Sequence, residues 1–170
     1  YSDLYLLDLA TLTERRLTER QRLVHPAISG DGTRALASEI RSSFYDLVEI
    51  DLSTGVVETL LTDERTSYLE PALSRDGSLV AVIAAKEGNS TLLIGDGTHF
   101  HAIVGPTASE LSGPRFIDDH TLFYIGEGVL HRYDIEEGTS VTLQSDPLGV
   151  YDAMLLSGVL YYQSYSSRGF

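Results

Sequence analysis

His25-Pro26-Ala27-Ile28-Ser29-Gly30-Asp31-Gly32-Thr33 returns, 45 residues later, as Glu70-Pro71-Ala72-Leu73-Ser74-Arg75-Asp76-Gly77-Ser78. A looser copy, Gly113-Pro114-Arg115-Phe116-Ile117-Asp118-Asp119-His120-Thr121, follows 43 residues further on. A fourth, Asp152-Ala153-Met154-Leu155-Leu156-Ser157-Gly158-Val159, has lost the Pro and one turn residue. A second phrase repeats out of phase with the first: Asp3-Leu4-Tyr5-Leu6-Leu7-Asp8-Leu9-Ala10-Thr11 matches Asp46-Leu47-Val48-Glu49-Ile50-Asp51-Leu52-Ser53-Thr54. Its looser forms end on Asp96 and Asp134. Two independent markers with one period near 43 residues define a repeat architecture.

Each repeat divides into strand-length pieces. Apolar runs at 34–38, 79–85, 122–125 and 159–162 follow turn residues and are too short for helices. Asp-Gly ahead of such a run is a tight-hairpin signal, because Gly accepts positive φ without steric cost. Second hairpins fall at Ser53-Thr54-Gly55, Asp96-Gly97 and Glu136-Glu137-Gly138, each followed by a further strand. Four short antiparallel strands in about 43 residues is the make-up of a β-propeller blade. The fold class read from the sequence is therefore all-β, with 1–170 forming one domain. Three full repeats are expected at roughly 25–68, 69–112 and 113–151, between partial ones at 1–24 and 152–170. Two arrangements remain open. The chain is an arc of about four blades from a larger propeller, or its ends complement each other in a closed four-bladed ring. An open arc would expose apolar blade faces and favour a homodimer.

The Pro-Ala-Ile-Ser-x-Asp-Gly and Asp-Leu-Tyr-Leu-Leu-Asp-Leu-Ala-Thr phrases resemble the WD40-like repeat of TolB-type propellers, and Leu17-Thr18 and Leu61-Thr62 match its closing Leu-Thr. The resemblance covers nearly the whole chain and is strongest over 1–85. Gly30 and Arg75 stand where the family phrase has a second Pro, and the family's frequent Trp is absent. The resemblance implies a six- or seven-bladed propeller, a bacterial periplasmic or other extracytoplasmic location, and a role as a protein-interaction platform. Related propellers also gate prolyl-oligopeptidase-like peptidases or sit beside metallopeptidase domains, and the fold alone does not choose among these roles.

Composition narrows the chemistry. With 12 Lys+Arg against 25 Asp+Glu the net charge is −13, which repels nucleic acid and anionic membranes. Arg15, Arg16, Arg20 and Arg22 are interrupted by Glu14 and Glu19 and read as a solvated edge or turn. No apolar run approaches the roughly 18 residues of a membrane span, so no membrane insertion is expected. The absence of cysteine excludes disulfides, thiolate chemistry and Cys-based zinc sites. The chain opens on Tyr1 and not Met, so a processed, trimmed or excised chain is expected.

No catalytic, cofactor or metal site is nominated. Asp31 and Asp76 precede Gly, and Asp8, Asp51, Asp96 and Asp134 end strands; such aspartates bond turn backbone. Ser29, Ser74 and Ser157 recur in the repeat register as turn residues. His99 and His101 are spaced as a strand pair, yet the sequence nominates no third ligand. There is neither a Gly-x-Ser-x-Gly elbow nor a phosphate loop. Most of the ten tyrosines, Tyr165 included, are assigned to blade packing. The segments ahead of each inner strand, 21–25, 67–70, 110–113 and 150–152, should converge on the central channel. His25, Tyr68, Glu70, Ser112, Tyr151 and Asp152 are the expected ligand or partner face. The function expected is a non-catalytic scaffold binding a protein or peptide. The alternatives are the accessory propeller of a larger peptidase or hydrolase, and a structural, self-associating module.

Overall fold

The computed structural model describes residues 1–145, 148–156 and 158–164; Ser157 and Tyr165 lie outside them. All helix and strand assignments among the described residues are β-strand. The first complete sheet joins β3 (Leu23–Ile28), β4 (Arg34–Arg41), β5 (Phe44–Asp51) and β6 (Val57–Leu61) in sequence order. The second joins β7 (Thr66–Leu73), β8 (Val80–Lys86), β9 (Asn89–Gly95) and β10 (Phe100–Thr107). The third joins β11 (Leu111–Phe116), β12 (Thr121–Gly126), β13 (Val129–Asp134) and β14 (Thr139–Ser145). Every pairing within these sheets is antiparallel, so each is a four-stranded meander, the propeller blade expected from the repeat.

The blades are flanked by two-stranded sheets, β1 (Tyr5–Asp8) with β2 (Thr13–Arg16), and β15 (Val150–Leu156) with β16 (Val159–Ser164). Among the described residues these two do not join into one sheet, so the chain is an open arc and not the closed four-bladed ring.

Burial follows the blade interfaces. Leu36, Leu47, Val80 and Val82 pack between the first and second blades. Ile83, Leu92, Leu111, Leu122 and Tyr133 fill the second interface. Ala35, Val48 and Ile50 form a cluster that Leu4 joins from the N-terminal half-sheet, and Phe123, Ile125 and Leu130 one joined by Val150 and Ala153. Both faces of the middle strands are therefore apolar, which explains continuous runs such as Val80-Ala-Val-Ile-Ala84.

Turn aspartates hold the hairpins. Asp31 Oδ1 accepts from the Ser29 hydroxyl at 2.7 Å and the Thr33 amide at 3.0 Å. Asp76 repeats this with Ser74 and Ser78. Asp51, Asp8 and Asp96 each accept two amides of the following turn, and Asp134 accepts that of Glu137. The Ser29 and Ser74 hydroxyls also accept the amides of Arg34 and Leu79, closing the hairpin from inside. Turns of successive blades then touch. The Arg34 guanidinium donates to the Gly77 carbonyl, and the Asp76 amide to Asp119 Oδ1. At Gly30 a β-carbon would sit 2.3 Å from the Arg75 carbonyl oxygen, so the backbones meet too closely there for a side chain.

Candidate functional site

The inner strands share one irregularity. Register shifts fall between Val24 and Ala27 in β3, Leu69 and Ala72 in β7, Ser112 and Arg115 in β11, and Val150 and Asp152 in β15. In the first three the bulge centres on the residue before Pro: His25 at φ 52°, Glu70 at φ 51° and Gly113 at φ 58°. Proline cannot donate to the ladder, and a bulge is where a sheet tolerates that loss. Because pairing resumes on both sides of the Pro, the inner strands begin at Leu23, Thr66 and Leu111, two or three residues ahead of divisions drawn at 25, 69 and 113.

The residues beside each bulge line one cavity. The four inner strands surround an open cavity of about 820 Å³. His25, Glu70, Ser112, Tyr151 and Asp152 line it, together with Arg115, Phe116, Phe123, Met154 and Ile28. Tyr68 is elsewhere. It is buried in the interface between the first two blades, where desolvation raises the pKa of its hydroxyl. Simple alternation would put Tyr68 and Glu70 on one strand face. The left-handed residue at 70 breaks that alternation, leaving the ring in the core and the carboxylate on the cavity.

The polar groups of the cavity wall are partly anchored. Glu70 Oε2 accepts the Gly113 amide at 2.6 Å, tying the second inner strand to the third. Arg115 Nη2 lies 3.6 Å from Asp152 Oδ1, tying the third to the fourth. Asp152 Oδ1 also accepts the Ala153 amide, and the Tyr151 hydroxyl donates to the Leu148 carbonyl at 2.5 Å. The cavity thus offers a cation, two carboxylates, an imidazole and apolar surface from Phe116 and Met154 on a backbone fixed by sheet pairing.

Arg115 carried a signal in the sequence. It stands two residues after Gly113, where the other copies of the phrase have Ala27 and Ala72. Phe123 comes from β12 and is placed by tertiary packing alone.

Other groups weighed in the sequence lie apart from the cavity. His99 immediately precedes β10, and its Nδ1 sits 2.8 Å from the Thr98 hydroxyl in the Asp96 turn. Arg16 pairs with Asp3 at 2.5 Å, and Arg15 donates to the carbonyls of Leu52 and Ser53. No group of three metal-ligating side chains occurs among the described residues.

At the level of sequence, no family model and no curated protein matches the chain. Solved structures do match. TolB from Acinetobacter baumannii superposes with a TM-score of 0.82 at 17% identity, over 98% of this chain and 44% of that one. A puromycin-hydrolyzing peptidase from Mycobacterium tuberculosis gives 0.72 at 16% identity, over 94% of this chain and 31% of that one. A chain of a nidogen/laminin complex gives 0.72 at 13% identity, over 94% and 65%. The chain spans less than half the length of the TolB chain it matches. With blades, open arc and superposition in agreement, the chain has the fold of a TolB-type β-propeller.

Proposed function

We propose that this chain is a non-catalytic binding scaffold that engages a protein or peptide through the cavity of its inner strands. The observation that carries the reading is the convergence of His25, Glu70, Ser112, Arg115, Tyr151 and Asp152 from four consecutive inner strands on one open cavity. Sheet hydrogen bonding makes that surface rigid, and a preorganised surface loses little entropy on binding. The nidogen/laminin neighbour is consistent with a propeller in a protein complex. The test is selection of displayed peptides on the immobilised chain, with Arg115→Glu and His25→Ala variants as counter-selection. Peptides that bind the parent and lose at least tenfold affinity for the variants support the reading. Peptides that bind all three equally contradict it.

The peptidase neighbour favours a second reading, in which the chain is the propeller of a larger peptidase or hydrolase. Peptide hydrolysis by the purified chain would argue against a scaffold without a catalytic centre. A third element is self-association as a homodimer, favoured by apolar side chains exposed on both half-sheets.

A further inference from the structure

The hairpin between β8 and β9, in the middle of the three complete blades, carries Asn89-Ser90-Thr91 directly after its turn. Asn89 is the single asparagine of the chain. An Asn with Thr two residues on, and no Pro between, is the acceptor pattern of N-linked glycan transfer.

Turn chemistry does not account for this asparagine. The two-residue turn is Glu87-Gly88, at φ 51° and 79°, which are the left-handed positions of a tight hairpin. Asn89 follows it, outside the positive-φ positions, and forms the first strand pair with Lys86. The same closing position holds Phe44, opposite Arg41, in the first blade and Val129, opposite Gly126, in the third. Phe and Val favour strands, whereas Asn is depleted in them. Asn89 thus supplies neither the turn geometry nor the strand propensity that its position uses elsewhere in the chain.

The tip presents the amide to solvent. Asn89 is exposed, and its Nδ2 reaches the Glu87 carbonyl only at 3.5 Å, too long for a strong hydrogen bond. A β-carbon on Gly88 would meet no atom within 4 Å, so the turn stands in open space. Strand alternation puts Thr91, half-buried, on the same face of β9 as Asn89. Exposed pairs brace the tip, Arg65 with Glu87 at 3.3 Å and Lys86 with Asp63 at 3.8 Å. Such pairs contribute about 0–1 kcal/mol, so the end of the hairpin opens to an enzyme at little cost.

We propose that Asn89 is an acceptor for N-linked glycan transfer from a lipid-linked oligosaccharyl diphosphate. Asn89 Nδ2 attacks the anomeric carbon of the first sugar. The bond from that carbon to the diphosphate oxygen breaks, and the lipid diphosphate leaves with the electron pair. Nδ2 gives up one proton to a base of the transferase, and an N-glycosidic amide remains. None of residues 87–91 lines the inner-strand cavity, so this site and the scaffold reading stand or fall separately.

The experiment incubates the purified chain with an oligosaccharyltransferase and a fluorescent lipid-linked oligosaccharide, followed by intact mass and peptide mapping. A peptide spanning residues 85–93 runs alongside. The parent should gain one glycan, mapped to Asn89. Asn89→Gln and Thr91→Val should gain none, and Thr91→Ser, which keeps the hydroxyl, should still be modified. Far-UV circular dichroism should be unchanged in all three variants. A modified peptide beside an unmodified parent overturns the proposal, because the tip is then closed to the enzyme. No glycan on either overturns it as well, because the triad is then not an acceptor. A glycan on Thr91→Val at the parent's rate, or on Asn89→Gln, overturns the assignment to this triad.

Discussion

The Glu70 carboxylate accepts the backbone amide of Gly113 at 2.6 Å, and the two residues occupy the same bulge position in consecutive blades. One blade's cavity side chain thus fixes the next blade's backbone. Glu70→Ala would leave a part-buried amide unsatisfied, at a cost of about 1–3 kcal/mol. For a chain of this size that corresponds to a fall in Tm of roughly 2–4 °C per kcal/mol. Glu70→Gln keeps an acceptor and should lose less than half as much. Thermal unfolding followed by circular dichroism measures both.

The bulge itself makes a second prediction. His25 holds φ 52° with a β-carbon, a conformation costing a non-glycine residue on the order of 1 kcal/mol. His25→Gly removes that strain and should match or exceed the parent by up to about 1 kcal/mol in denaturant unfolding. Gly113→Ala imposes the strain and should destabilise by about 1 kcal/mol, although the nearest atom to the added carbon, Ile125 Cδ1, is 3.7 Å away. A loss in the first or a gain in the second would contradict the assignment of strain.

Acid should loosen the turns. Asp31 and Asp51 are lowered to about 2 mainly by the hydroxyls of Ser29 and Ser53, and Asp76 to about 2 mainly by the Ser78 amide. Against an unfolded value near 3.9, each contributes stability that is fully present above about pH 4 and is lost as pH falls through about 2. Glu39, raised by burial and then by Asp46, works in the opposite direction. Tm measured from pH 7 to 2 should stay level to about pH 4 and then drop. The Asp31→Asn, Asp51→Asn, Asp76→Asn variant should start lower at pH 7 and lose less on acidification.

Core and surface should separate sharply. Leu122 is fully buried between the second and third blades, and Leu122→Ala should cost about 2–5 kcal/mol. Leu143, exposed on the outer strand β14, should cost less than about 0.5 kcal/mol as Ala. Urea unfolding of the two variants makes the comparison.

The blades were legible because Pro26 and Pro71 mark one register and Asp8 and Asp51 another, and local turn chemistry explains both. The turn roles of Asp31 and Asp76 followed from Asp preceding Gly, and the hydrogen bonds are those such a position makes. The path of the chain around each proline was not legible. A left-handed residue at 25 or 70 has no signature in His or Glu, so alternation alone could not separate Tyr68 in the core from Glu70 on the cavity. Phe123 reaches the cavity from a second strand, a tertiary placement that periodicity does not encode. The open arc depended on the curvature between blades, which arises from packing at interfaces such as Leu36 against Val80.

The most direct test of the scaffold reading is amide chemical-shift mapping of the ¹⁵N-labelled chain titrated with a selected peptide. Shifts confined to β3, β7, β11 and β15 around His25, Glu70, Ser112, Arg115 and Asp152, and abolished by Arg115→Glu, are the result expected. Shifts centred on outer strands β6, β10 and β14, with the inner strands silent, would contradict it.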